Sequence, residues 1–195
     1  MALSFVIFGI EEWDEFKGAV AEIGSEQLCL GQDLFQKYAW GCHSEESPEL
    51  YSSTVSNLLE MLEAIVSIAD EETIEAIEST YFAMINVDAI GDRNSSRRGK
   101  NYGQGPNDLE IDDNMQRDVD LAGSISPSRV NEMARCFEAF DIAVLEPFFD
   151  KIKETGRDDN KRFDDFDEMK IYLDEFEKII GYASSKELGI IVFIL

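Results

Sequence analysis

Gly189-Ile-Ile-Val-Phe-Ile-Leu195 closes the chain with an uninterrupted apolar run in which four of the seven residues are β-branched. Such a run reads as a buried strand. A strand must pair its backbone N–H and C=O groups with a neighbour. Leu3–Phe8, near the other terminus, is a second short apolar run and the natural partner. Between the two, the apolar residues recur at helical rather than strand spacing. The expectation is therefore an α+β fold: a mostly helical single domain over residues 1–195, with a small sheet that pairs the N- and C-terminal strands.

The helical segments carry their own start and stop signals. Glu11 to Ile23 places Trp13, Phe16, Val20 and Ile23 three or four apart, with acids in the first turn and Gly24 at the end. Thr54 to Ala69, with Ser53 as a cap, carries a stripe of Val55, Leu58, Leu59, Leu62, Ile65 and Val66. Asp70 then caps Glu71 to Ile85, and the tight junction suggests a helical hairpin. Ser126-Pro127 starts a helix that reaches about Phe140, because a Ser side chain can accept an orphan N–H and Pro loses nothing at the first helical position. Pro147 and Gly156 confine Leu145–Lys153 to a short helix. Asp164 or Asp165 caps the last long helix, whose buried stripe is Met169, Tyr172, Leu173, Phe176, Ile179 and Ile180.

The 195 residues hold 17 Lys+Arg and 41 Asp+Glu, a net charge of −24, yet 44% are hydrophobic and 11% aromatic. A disordered acidic tail would lack that apolar content. Residues 1–92 hold 19 acidic and 2 basic side chains (Lys17 and Lys37), a net of −17. The remainder nets −7. Gly91 to Pro106 is rich in Gly, Ser and Asn and carries Arg93, Arg97, Arg98 and Lys100, which reads as a flexible basic loop over 91–107. So negative a chain repels phosphate backbones and anionic membranes, so direct nucleic-acid and membrane binding are not expected. The segment Met1 to Phe8 has no basic n-region and runs into Glu11, Glu12, Asp14 and Glu15, unlike a signal peptide. No run approaches the ~20 residues of a membrane span. Cys29, Cys42 and Cys136 show no Cys-x-x-Cys spacing and read as reduced thiols, so a cytoplasmic setting is expected.

Chemistry finds few footholds. His43, the single histidine, adjoins Cys42, but nucleophile and base normally come from separate elements, so it reads as a loop residue. One His and three scattered Cys give no zinc spacing. Asp158-Asp159 and Asp164–Glu168 are acidic clusters, but a calcium loop starting at Asp158 or at Asp92 lacks the central glycine and final glutamate, and Asp164–Glu168 suits a helix start. No phosphate-binding glycine motif is present. No catalytic residue, metal or cofactor is expected.

The second half, roughly residues 100–195, resembles the YfbM-like family of bacterial proteins. The resemblance lies in order: Tyr102-Gly-Gln-Gly-Pro106, then Leu-x-x-Ser-Ile-Ser-Pro-Ser-Arg-Val at Leu121–Val130, a helix over Asn131–Phe140, a short aromatic helix, Tyr-Leu-x-x-Phe-x-x-Ile-Ile at Tyr172–Ile180, and the closing strand. The N-terminal half departs from the family pattern, since Leu34-Phe-Gln-Lys-Tyr-Ala-Trp40 only distantly matches its Asp-Lys-x-x-Trp helix. The resemblance implies the α+β fold, a bacterial or phage setting and, through relatives beside toxin genes, an antidote role.

The leading expectation is an acidic binding protein: an immunity protein or inhibitor that neutralises a basic toxin or effector by direct contact, not an enzyme. The expected partner-binding residues are Tyr38, Trp40 and Tyr51 as exposed aromatic anchors, rimmed by Glu45, Glu46 and Glu49. Two other readings stand beside it: a phage or mobile-element anti-defence protein that imitates nucleic-acid charge, and an enzyme with a carboxylate site. A deep cleft lined by Asp or Glu would favour the enzyme, and a convex acidic face the inhibitor.

Overall fold

A computed structural model describes residues 5–23, 37–40, 54–83, 107–111, 121–155 and 163–194. In chain order the elements are β1 (Phe5–Ile10), α1 (Trp13–Glu22), β2 (Ala39–Trp40), α2 (Thr54–Val66), α3 (Glu71–Ser79), β3 (Leu121–Ile125), α4 (Pro127–Ala139), a 3-10 helix (Ile142–Leu145), α5 (Glu146–Glu154), α6 (Phe166–Ser185) and β4 (Gly189–Ile194). The described residues are thus mostly helical, with one small antiparallel sheet in the order β2-β1-β4-β3. The two terminal strands pair over their whole length, from Phe5 opposite Ile194 to Ile10 opposite Gly189.

Both faces of the sheet are covered, which explains why β4 is apolar without alternation. Ile190 and Val192 face α2 to α6, in a cluster with Ile7, Ile125, Leu62, Phe137, Leu173 and Ile180. Ile191 and Phe193 face α1, against Ile10, Trp13, Phe16, Val20, Tyr38 and Leu121. Successive strand residues point to opposite faces, so Leu121 and Ile125, four apart, would normally share one. A register shift between Leu121 and Gly123 puts them on opposite faces. That irregularity hides β3 from sequence periodicity, and the strand was not among the expected elements.

The helix caps show where sequence signals acted. Asp70 accepts the Thr73 N–H at 2.9 Å, as expected of the α2–α3 junction. At α6 the cap is Asp165, which takes the Glu168 N–H at 2.9 Å, while the Glu168 carboxylate accepts the Asp164 N–H at 2.7 Å. This reciprocal box accounts for the acids of Asp164–Glu168. Ser126 sits at the cap position of α4 but its hydroxyl does not cap; it lies 3.2 Å from the Ser128 hydroxyl. Asp108, from a distant segment, accepts the N–H of Ser126 itself at 2.7 Å. α2 ends at Val66 rather than Ala69. α3 ends at Ser79 rather than Ile85, yet Tyr81 beyond it is fully buried among Phe137, Phe140 and Phe176.

The expected basic loop falls outside the described residues except for Asn107. That residue is bridged to Ser124 of β3, so the sheet begins to hold the chain there. Ser53, Cys29, Cys42, His43 and the Asp158-Asp159 pair likewise lie outside. Cys136 is a free thiol, half-buried on α4. No helix among the described residues is long and apolar enough to cross a membrane.

Candidate functional site

The register places Ile10, Gly189 and Ile125 at one end of the sheet. Just beyond them β1 runs into α1, β3 runs into α4, and α6 turns back into β4. The segment 107–111 is fastened across this end. The Asp108 N–H donates to the Ser124 carbonyl at 3.0 Å, and the Leu109 N–H to the Ser124 hydroxyl at 3.2 Å. Its side chains clip both flanking helices: Glu110 takes Lys17 Nζ of α1 at 2.7 Å, and Asp108 takes the Arg129 guanidinium of α4 at 3.0 Å.

These connections enclose an open cleft of about 840 Å³. Six carboxylates line it, from Glu12, Asp14, Glu15, Asp108, Glu110 and Glu187, against a single lining cation, Lys17. Asp108 is half-buried and committed to Ser126 and Arg129; the other five are exposed. Acid–base work needs a carboxyl withdrawn from water. With Glu110 paired to Lys17, the four exposed carboxylates without an ion pair among the described residues, Glu12, Asp14, Glu15 and Glu187, instead make a concentrated negative field at an open rim, the arrangement expected of a surface that receives cations.

The backbone of the cleft is unusual in one respect. Three non-glycine residues among those described have a left-handed conformation: Glu12 at φ 49°, Glu110 at 59° and Glu187 at 56°. All three line this cleft. A Cβ crowds the backbone in that region and costs on the order of 1–2 kcal/mol per residue, which is why glycine normally fills it. Glu187 ends α6 in a Schellman motif: the Leu188 N–H reaches the Ala183 carbonyl at 2.9 Å and the Glu187 N–H the Ser184 carbonyl at 3.1 Å. Glu12 occupies the cap position of α1 without a capping side-chain bond.

Below the cleft, the Trp13 ring lies on Gly189. A Cβ at position 189 would come within 2.0 Å of Trp13 Cε3, so only glycine lets the indole close the α1 side of the sheet. Trp13 continues into Phe16, ring centroids 6.1 Å apart, and Phe16 meets Tyr38 edge-on at 5.8 Å.

Tyr38 is therefore a correction: expected as an exposed anchor, it is buried, 6% accessible, in the core under α1. β2 causes this. Ala39 and Trp40 pair with Ile10 and Gly9, and the Glu11 N–H bonds the Tyr38 carbonyl at 2.9 Å, which draws the Tyr38 ring under the helix. Its hydroxyl accepts Lys37 Nζ at 2.6 Å. That bond, with help from Glu15 and Glu12, holds the Lys37 ammonium above its ordinary pKa against a smaller desolvation effect. Trp40 is placed by its backbone in β2, and its side chain lies outside the described residues. Glu45, Glu46, Glu49 and Tyr51 also lie outside the described residues. The cleft residues were missed because they come from four separated segments and glutamate carries no sequence signal for a left-handed backbone. Among the described residues no group of three or more His, Cys, Asp or Glu side chains is arranged to hold a metal ion.

Compared with protein-family models, curated proteins and solved structures, the chain matches none.

Proposed function

We propose that this chain is an acidic binding protein, an immunity protein or inhibitor that neutralises a cognate basic toxin or effector by covering it, with the cleft at the sheet end as part of the contact. One observation carries the reading. At each of the three left-handed positions glycine would relieve strain, and at each the chain carries glutamate, all three on one open cleft. Strain retained at a surface is a pointer to function rather than to folding. The net charge of −24 supplies the long-range field that speeds encounter with a basic partner. α3 adds to that field, with Glu71, Glu72, Glu75 and Glu78 all exposed and no basic residue in the helix.

The test is capture from the source-cell lysate at low and moderate salt, with bound proteins identified by mass spectrometry. Wild-type protein is compared with a triple variant, Glu12→Lys, Glu15→Lys and Glu187→Lys. One basic protein retained at one-to-one stoichiometry by the wild type and lost by the variant supports the proposal. Equal retention by both removes the cleft from it. Retention of basic proteins in bulk, released together by salt, identifies the charge as a solubility feature.

A further inference from the structure

On the other side of the molecule from α1, a second groove of about 590 Å³ runs between α3 and the connection from α4 to α5. Its floor is apolar: Ala76 from α3, Phe140 at the end of α4, Val144 from the 3-10 helix and Phe148 from α5. Val144 is 42% exposed, one of two large hydrophobic residues that stand out in this way among those described. Asp70, Glu72 and Glu75 stand at its α3 side and Asp141 opposite, and among the described residues no lysine or arginine lines it. Two rim carboxylates are held in place by backbone bonds: Asp70 by the Thr73 N–H at 2.9 Å and Asp141 by the Ala143 N–H at 3.0 Å. A groove with an apolar strip, three carboxylates along one side and one opposite complements a helix whose apolar stripe is flanked by cations.

We propose that this groove docks one basic amphipathic helix of the protein partner, seating apolar side chains one turn apart on Phe140, Val144 and Phe148 while flanking lysines or arginines meet the rim. The nine residues of α3 run for about 13 Å, which matches two to three turns of an occupant helix. This rests on the reading of the partner as a basic protein, and it adds what that reading lacks: an apolar anchor site, where binding energy concentrates, beside charges that mainly set encounter rate.

The test uses the full-length protein and a fluorescein-labelled 14-residue Leu/Lys peptide of helical periodicity, with a scrambled peptide of the same composition, read by anisotropy at physiological salt. Three proteins are compared with wild type: Val144→Asp in the groove, the double rim variant Glu72→Lys and Glu75→Lys, and Ile171→Asp, an exposed apolar position on α6 outside the groove. All these positions are exposed, and thermal melts confirm that each variant folds. The expected result is at least tenfold tighter binding of the periodic peptide than of the scrambled one. Val144→Asp and the rim variant should each weaken it about tenfold, and Ile171→Asp less than twofold. Equal binding of the two peptides, or equal effects of Val144→Asp and Ile171→Asp, overturns the proposal. The function is judged separately: partner capture that Val144→Asp leaves intact and the cleft triple variant abolishes sinks the groove and keeps the inhibitor.

Discussion

Replacing Glu187 by glycine should make the protein more stable and worse at holding its partner. Glu187 stands at φ 56°, where the last turn of α6 requires a left-handed residue. It is exposed, and its side chain makes no hydrogen bond or ion pair among the described residues, so truncation breaks no contact. Relief of the crowded Cβ returns about 1–2 kcal/mol. The greater freedom of glycine in the unfolded chain takes back about 0.5–1 kcal/mol. The net gain is about 0.5–1 kcal/mol, or a rise in Tm of about 1–4 °C for a chain of this size. The assay is thermal unfolding by circular dichroism at neutral pH for wild type, Glu187→Gly and Glu187→Ala. Alanine removes the carboxylate but keeps the crowded Cβ, so its Tm should stay within about 1 °C of wild type on the same scale. A glycine variant that melts at or below the alanine variant would refute the strain argument, and with it the case for glutamate being retained there for binding.

Other sites give sharper signs. Gly189→Ala should destabilise by more than about 2 kcal/mol, because its Cβ would lie 2.0 Å from the Trp13 ring and the ring, wedged between α1 and the sheet, has to move; a denaturant midpoint equal to wild type would show that the indole is free to shift. Tyr81 is fully buried and its hydroxyl has no hydrogen-bond partner among the described residues, so Tyr81→Phe should stabilise by about 1–2 kcal/mol in urea unfolding. Burial first, then Glu177 and Asp174, push its pKa well above 10.0; the unfolded chain therefore ionises first, and stability is unaffected by this group below pH 10 and falls as pH rises beyond it. Tyr81→Phe should accordingly resist alkaline unfolding better than wild type. Asp70 has the opposite sign: the Thr73 N–H holds its carboxyl below the ordinary 3.8, so its contribution is present above that value and lost as pH falls through the lowered one. Asp70→Asn keeps a cap that does not titrate, and its stability should fall less steeply than that of wild type below about pH 4.

Much of the fold was written in local signals. The β-branched run at the C-terminus, the apolar run at the N-terminus and the 3.6-residue stripes of Leu58, Leu62 and Ile65 or of Met169, Leu173 and Phe176 each carry their own period, and the structure places them in strands and helices accordingly. Asp70 was legible as a cap, and Asp164 or Asp165 as alternatives for the last helix, because a cap acts within three residues. Features that depend on distant partners were not legible. Leu-Ala-Gly-Ser-Ile at β3 has no alternation because a register shift resets its parity. Ser126 carries the sequence signature of a cap, yet its hydroxyl makes no capping bond, and its own N–H is held by Asp108, eighteen residues earlier. Tyr38 lies in a stretch with no strand or helix period of its own, and only the pairing of β2 with β1 reveals that it turns inward. The acidic cleft gathers residues 12 to 17, 107 to 110 and 187, a juxtaposition no local pattern encodes.

The central claim is that the cleft carboxylates draw in and hold a basic protein. Its most direct measurement is stopped-flow association with the partner captured at one-to-one stoichiometry, across a salt series, for wild type and for the Glu12→Lys, Glu15→Lys, Glu187→Lys variant. The account predicts a wild-type on-rate that falls steeply with salt, and a variant slowed by about tenfold or more at low salt with a flatter dependence. Superimposable rates for the two proteins at every salt concentration would contradict it.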